Sequence, residues 1–312
     1  MLKLHPKAAL TAGLLAGHGL RKGSLSLSGA TAALAVGYGH LANDDPTFGI
    51  TMIVFYALGT AATKYKANIK ASFEDGHDDS SASAGKRTAY QVLCNSTPSL
   101  IASILYKFAL TTEASNRVRD ACYSLLGSGK YGVDDGRIAR TLIFATLGHF
   151  ASCLGDTLAS ELGILSPSKP ILVTTLKPCP PGTNGGISLA GTGMSIVGGG
   201  IIGLTVGALQ TQFGFISDIS LLRFTMMGAL AGFGGSMIDS LLGATLQQTQ
   251  YDTEKGKILL DSASEEQKKV VQVDKSNTEI VSGINLLSNN QVNFVSSAAV
   301  AVLFGYIGFV SV

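Results

Sequence analysis

The chain has 312 residues, of which 46% are apolar and only 14% charged. A typical soluble domain carries roughly 25% charged residues, so this balance, with a mean hydropathy of +0.33, excludes an ordinary soluble fold. A net charge of +2, without clustered Lys and Arg among aromatics, excludes a nucleic-acid partner.

A bilayer core about 30 Å thick needs about 20 mostly apolar residues per helix. That length predicts spans near 6–20, 24–42, 47–64, 89–110, 138–160, 186–210, 220–246 and 292–312. The first is short, contains His18 and runs straight into Arg21-Lys22, so it reads as a retained helix rather than a cleaved signal. From Gly136 to Gly214 the only charged residues are Arg137, Arg140, Asp156, Glu161, Lys169 and Lys177. Many of the 38 glycines lie inside the apolar runs, where they let membrane helices approach closely. The fold class is an all-α polytopic membrane protein, a bundle of about 7–8 transmembrane helices in one integral membrane domain, 1–312.

Polar connections are expected at 65–88, 111–137, 161–185 and 247–291. Within the last, 258–282 alternates apolar and polar residues, as strands or a hairpin outside the bilayer would. The odd-numbered connections carry 14 of the 23 basic residues, and positive charge favours the cytosolic side. Their polar loops are therefore expected in the cytosol. The four cysteines form no Cys-x-x-Cys pair, which argues against a zinc site or a disulfide framework.

Five unusual stretches fall on that same face. In GKRTAYQVLCNS (85–96), Arg87, Gln91 and Asn95 are spaced by four and share one helical face; an Arg beside a Gly suits an anionic ligand. In GHFASCLGDTLASELG (148–163), His149, Cys153, Asp156 and Ser160 form one stripe. Glu161 lies about 140° round from Asp156, so the two carboxylates meet one ligand only if the helix ends or distorts. Ionisable groups within a span mark function, and magnesium suits carboxylates plus substrate phosphates. His149 reads as a packed, satisfied histidine.

In KPCPPGTNGGISLAGTGMSIVGGGIIG (177–203), Gly182, Thr183, Asn184, Gly185 and Gly186 lead into a helix. Such backbone N–H groups can receive phosphate oxygens, with Lys177 adding charge; the later GTGMSIVGGG reads as close helix packing. GGSMIDSLLGATLQ (234–247) places Asp239 and Ser240 in an apolar run. NNQVNF (289–294) opens the last helix with amides, Asn293 among them, that either cap it or meet a polar ligand. The set fits magnesium-assisted phosphoryl transfer, where positioning and charge neutralisation supply most of the catalysis. It fits an ion-coupled or lipid-translocating transporter nearly as well. The helix halves away from these motifs carry few polar groups, which favours an enzyme.

Together, GKRTAYQVLCNS (85–96), GDTLASELG (155–163), KPCPPGTNGGISLAGT (177–192), GSMIDSLLGATLQ (235–247) and NNQVNF (289–294) resemble the transmembrane protein 19 family. That family includes the chloroplast phytyl-phosphate kinase. The resemblance covers 85–294 and implies a membrane enzyme that phosphorylates a prenyl monophosphate, such as phytyl or geranylgeranyl phosphate, using a nucleoside triphosphate, CTP in the first instance. Arg87, Gln91, Asn95, Asp156, Glu161, Thr183, Asn184, Asp239 and Asn293 fall on its motif positions. The reading assigns Asp156, Glu161 and Asp239 to catalysis and Mg2+. Arg87, Gln91, Asn95, Lys177, the 182–186 segment and Asn293 are assigned to phosphate. Expected partners are the lipid monophosphate, the nucleotide and membrane lipids. The N-terminal stretch lacks the composition of an organelle transit peptide, so an endomembrane such as the endoplasmic reticulum is expected rather than the plastid envelope.

Overall fold

In a computed structural model, the protein is described over residues 4–70, 73–75, 86–110, 134–214, 216, 218–259 and 278–311, with Asp120 and Ser124. The basic stretch 111–119, Gly85 and the 260–277 part of the expected strand region lie outside the described residues.

Ten helices are described: α1 (Pro6–Arg21), α2 (Leu27–Leu41), α3 (Pro46–Lys64), α4 (Ala67–Lys70), α5 (Ala89–Cys94), α6 (Thr97–Leu110), α7 (Asp135–Gly163), α8 (Leu189–Phe213), α9 (Leu221–Leu246) and α10 (Asn289–Val310). Most begin at a residue whose side chain takes up an orphan backbone N–H. Ser26 accepts from Gly29 N (3.0 Å), Asp45 from Thr47 N (2.8 Å), Asp134 from Arg137 N (2.7 Å) and Ser188 from Gly191 N (3.1 Å). Thr88 with Gln91, and Ser288 with Gln291, form capping boxes.

Five helices, α3 and α7–α10, are long and apolar enough to cross a membrane. The expected fourth span is broken at Asn95-Ser96 into α5 and α6. Pro98 explains the break, because it has no N–H to donate to the Cys94 carbonyl four residues back and its ring crowds that carbonyl. The chain still traverses the bundle there, as α5 followed by α6.

Helix α7 is the axis of the bundle. Its 29 residues extend about 43 Å at 1.5 Å per residue, and α3, α6, α8, α9 and α10 all pack on it. Ile143, Phe144, Leu147, Phe150 and Leu154 on this helix are each 0% exposed. A helix apolar on every side belongs in the centre of such an assembly. Glycines set how closely α8 and α9 approach it. A Cβ on Gly155 would lie 2.7 Å from Gly232 Cα and 2.8 Å from the Ser195 carbonyl oxygen, so any larger residue would part the three helices. The close-packing reading of GTGMSIVGGG (191–200) holds for Gly191, Gly198 and Gly199, the last facing Gly228 on α9, whereas a Cβ on Gly193 would meet nothing.

The connections α1–α2, α3–α5, α7–α8 and α9–α10 gather at one end. Arg87 N donates to Ser24 O (3.1 Å) and Ser26 N to Arg87 O (3.0 Å), tying the first to the second. The second and fourth meet in a four-stranded sheet of order β1-β5-β4-β6: β1 (Glu74–Asp75), β4 (Thr249–Asp252), β5 (Lys257–Leu259) and β6 (Thr278–Ser282). Strand β1 pairs parallel with β5, while β4 pairs antiparallel with β5 and β6. The hairpin therefore begins at Thr249, before the alternating 258–282 stretch. The third connection contributes β2 (Ile171–Leu172) and β3 (Gly186–Ile187), an antiparallel pair, and Asn184 N donates to Thr249 Oγ1 (3.1 Å). Cysteines introduced at Lys86 and Lys169, both exposed, should therefore react with an impermeant maleimide from one side, the cytosolic one. Labelling of the two from opposite sides would break this arrangement.

Candidate functional site

At the loop end, α7, α9 and α10 bring two carboxylates together. Asp156 on α7 accepts from Ser236 Oγ on α9 (3.2 Å). Asp239, one turn beyond Ser236, accepts from Ser296 Oγ on α10 (2.9 Å). Asn293, with its amide oriented to satisfy both ends, donates to Asp239 Oδ2 (3.2 Å) and to the Asn289 carbonyl (3.1 Å). Because Ser236 and Asp239 lie one turn apart on α9, the Ser236–Asp156 bond sets the two aspartates on facing surfaces of α7 and α9, and both are half-buried. Among the described residues, neither forms an ion pair. The glycine contact at Gly155 and Gly232 is what lets α7 and α9 come near enough for this pairing.

Glu161 is not part of that pair. Two like-charged groups sharing a buried space need compensation, and the chain supplies it to Glu161 separately. Lys70 Nζ lies 2.5 Å from Glu161 Oε2 and also donates to the carbonyls of Ala62 (3.0 Å) and Thr63 (2.7 Å). The expectation that Glu161 shares a metal with Asp156 and Asp239 is revised: α7 stays regular to Gly163, so Glu161 points toward α3 and α4. Among the described residues, no three His, Cys, Asp or Glu side chains converge on one point. Two carboxylates remain, and they fit magnesium, which is usually held by one or two carboxylates together with substrate phosphates. Lys70 escaped the sequence reading because its partner is 91 residues away.

The 182–186 loop also differs from expectation. Three of its five N–H groups are already bonded: Thr183 N donates to Pro180 O (3.2 Å) and Gly186 N to Thr183 O (2.9 Å) within the loop, and Asn184 N to Thr249 Oγ1 on β4. Gly185 has φ +78°, and a Cβ there would lie 2.5 Å from the Ser240 carbonyl and against Ala244. Its glycine is required by contact with α9. The turn braces the helix that carries Asp239, and Ile187 and Ser188 stand between it and the start of α8. Lys177 is exposed beside it, and burial pushes the Cys179 thiol up from its usual value.

Arg87, Gln91 and Asn95 line one cleft with Thr157 of α7, although only Gln91 lies within α5: Arg87 precedes its cap in a bridge to Leu25 and Asn95 is its C-cap residue, so the three do not form one helical face. Arg87 Nη1 donates to Thr60 Oγ1 (3.3 Å), and burial draws its pKa below the usual arginine value, opposed by Tyr56 and Glu161. Gln91 Oε1 is committed to the Thr88 N–H (2.9 Å), in a Thr-x-x-Gln cap that local sequence displays. The Asn95 carbonyl accepts from His149 Nε2 (3.1 Å), so His149 is a satisfied, buried histidine as expected.

The far end carries more polar structure than expected. Asp45 Oδ2 accepts from Tyr106 (3.2 Å) and Gln210 (3.0 Å), and Gln210 also donates to Thr47 (2.8 Å). Asp218 pairs with Arg140 (2.7 Å), which holds its carboxyl below the usual range. These residues are scattered from 45 to 218 and only the fold collects them. The fully buried Phe144, Leu147 and Phe150 lie between this cluster and Asp156 along α7.

Fold and site define a polytopic integral membrane protein with a carboxylate pair at its loop end. Comparison with known sequences gives the family: residues 10–301 match the profile described as integral membrane protein DUF92, and the chain belongs to that family. It is 34% identical over 297 residues to Protein PGR of Arabidopsis thaliana, a transmembrane protein 19 family member, covering 93% of this chain and 91% of that one. An uncharacterized membrane protein of Methanocaldococcus jannaschii is 30% identical over 158 residues, 48% of this chain and 62% of its own. One from Synechocystis is 36% identical over 106 residues, 34% of this chain and 38% of its own. No solved structure matches.

Proposed function

We propose that this protein is an integral membrane prenyl-phosphate kinase. It transfers the terminal phosphoryl group of a nucleoside triphosphate, CTP in the first instance, to a prenyl monophosphate such as phytyl or geranylgeranyl phosphate. The observation that carries this reading is the Asp156–Asp239 pair. Two half-buried carboxylates, positioned by Ser236, Ser296 and Asn293 and lacking a basic partner among the described residues, repel each other unless a shared proton or a cation relieves the charge, and a divalent cation arriving with nucleotide phosphates would displace that proton.

Asp156 and Asp239 would hold Mg2+, which neutralises charge on nucleotide phosphates. The acceptor is already an ionised phosphate, so its oxygen needs no strong general base. That agrees with His149 being buried and committed to Asn95. The attacking lipid-phosphate oxygen forms the new P–O bond as the bond to the nucleoside diphosphate breaks. The motif resemblance across 85–294 supports the same reaction.

The buried Asp45–Gln210 network at the far end is what a transporter reading would use. The wholly buried Phe144, Leu147 and Phe150 stand against a continuous path. Purified full-length protein should move label from γ-labelled CTP or ATP to a prenyl monophosphate, giving the diphosphate only with Mg2+. A folded protein that binds no nucleotide and forms no diphosphate from any prenyl phosphate overturns the proposal, and prenyl-phosphate movement across vesicles would then favour the transporter.

A further inference from the structure

On another side of α7, a cleft of about 810 Å³, its open mouth included, runs between α1, α2, α3 and α5. Ala12, Ala33, Val36, Met52, Ile53 and Phe55 make its walls apolar, while Arg87, Gln91 and Asn95 supply a polar edge from the α5 segment. Arg87 is anchored at Thr60, eight residues along α3 from Met52. At 1.5 Å per residue the apolar part thus reaches about 12 Å from the guanidinium into the bundle.

We propose that this cleft binds a single-chain lipid phosphate, with the phosphate on Arg87 and the chain between α1, α2 and α3. The assignment rests on the kinase reading above, whose acceptor it would be. Charge complementarity carries it. Glu161 is the nearby carboxylate, but Lys70 already pairs with it at 2.5 Å. Among the described residues, Arg87 side-chain hydrogen bonding is to a neutral hydroxyl. A guanidinium can present two parallel N–H donors to one phosphate. With Gln91 Oε1 capping α5, the Gln91 amide offers only donors to the cleft. Apart from its open mouth the cleft is narrow, about 100 Å³, which suits one chain lying along it better than the two of a phospholipid. Thr157 borders the cleft and directly follows Asp156, so an acceptor phosphate here would meet a nucleotide held at the aspartates from the neighbouring side of α7.

The test measures binding of tritiated geranylgeranyl monophosphate to purified full-length protein, without nucleotide or Mg2+. Ala33→Trp and, as a second filling variant, Ile53→Trp should each weaken binding at least tenfold while the protein elutes and melts as wild type. Arg87→Gln should weaken the phosphate at least tenfold but leave geranylgeraniol competition unchanged. Unchanged binding in a folded filling variant overturns the site. Equal competition by a two-chain phosphatidate shows a bilayer-lipid groove, and equal competition by inorganic phosphate shows a head site without a chain pocket; each overturns the proposal. Should the binding losses appear without any phosphoryl transfer, the kinase reading falls while the lipid-phosphate site stands.

Discussion

Asp156→Asn is expected to abolish magnesium-dependent nucleotide binding and to lower turnover by roughly 10²–10³-fold or more, the scale on which loss of one electrostatic group acts. Metal-free stability should be held or raised. The substitution keeps an oxygen for the Ser236 hydroxyl and removes the repulsion between two facing carboxylates, so nothing is stranded. Asp239→Asn should behave alike, because Ser296 and Asn293 fix it on the other side of the same pair. Isothermal titration with nucleotide and Mg2+, beside a thermal melt in chelator, reads both quantities. A large loss of metal-free stability with nucleotide affinity unaltered would show a structural carboxylate and remove Asp156 from the reaction.

Glu161→Gln is expected to do the reverse. It leaves the Lys70 ammonium, whose side chain is 9% exposed, without its counter-charge, and breaking such a buried pair costs about 3–5 kcal/mol. The loss should appear with or without metal. Replacing both partners together, Lys70→Met with Glu161→Leu, should recover much of it, since no charge is then stranded. A Glu161→Gln protein of wild-type stability that no longer responds to Mg2+ would return Glu161 to the metal. The pair of experiments thus separates two carboxylates five residues apart on one helix, one proposed to act on ligand and one holding the fold.

Much of the architecture is legible in the sequence because bilayer solvation is a one-dimensional constraint. A run of about 20 apolar residues reports a span wherever it occurs, and α3, α8, α9 and α10 appear close to their expected bounds. The gathering of the motif-bearing connections at one end followed from counting spans. The break at Pro98 and the Thr88–Gln91 capping box are also readable, being local stereochemistry, although Gln91 reads equally as a ligand amide; the amides opening the last helix fit a cap or a polar ligand on sequence alone, and Gln291 is a cap.

The sequence by itself determined the class, the family motifs and Asp156 and Asp239 as unusual carboxylates, since each depends on composition or on charge within an apolar run. Only the tertiary structure decided what those groups meet. Glu161 reads as a metal ligand in the sequence, but its partner is Lys70, 91 residues earlier, and no periodicity reports a partner at that separation. Gly185 reads as room for phosphate in the sequence, but Ser240 and Ala244 fill that room. A glycine in a sequence announces close approach without saying to what. The Asp45–Tyr106–Gln210 cluster joins three distant segments and had no sequence signal at all. Helices form from neighbours a few residues apart, whereas a buried charge is satisfied by whichever segment the packing delivers, and that pairing exists only once the bundle is assembled.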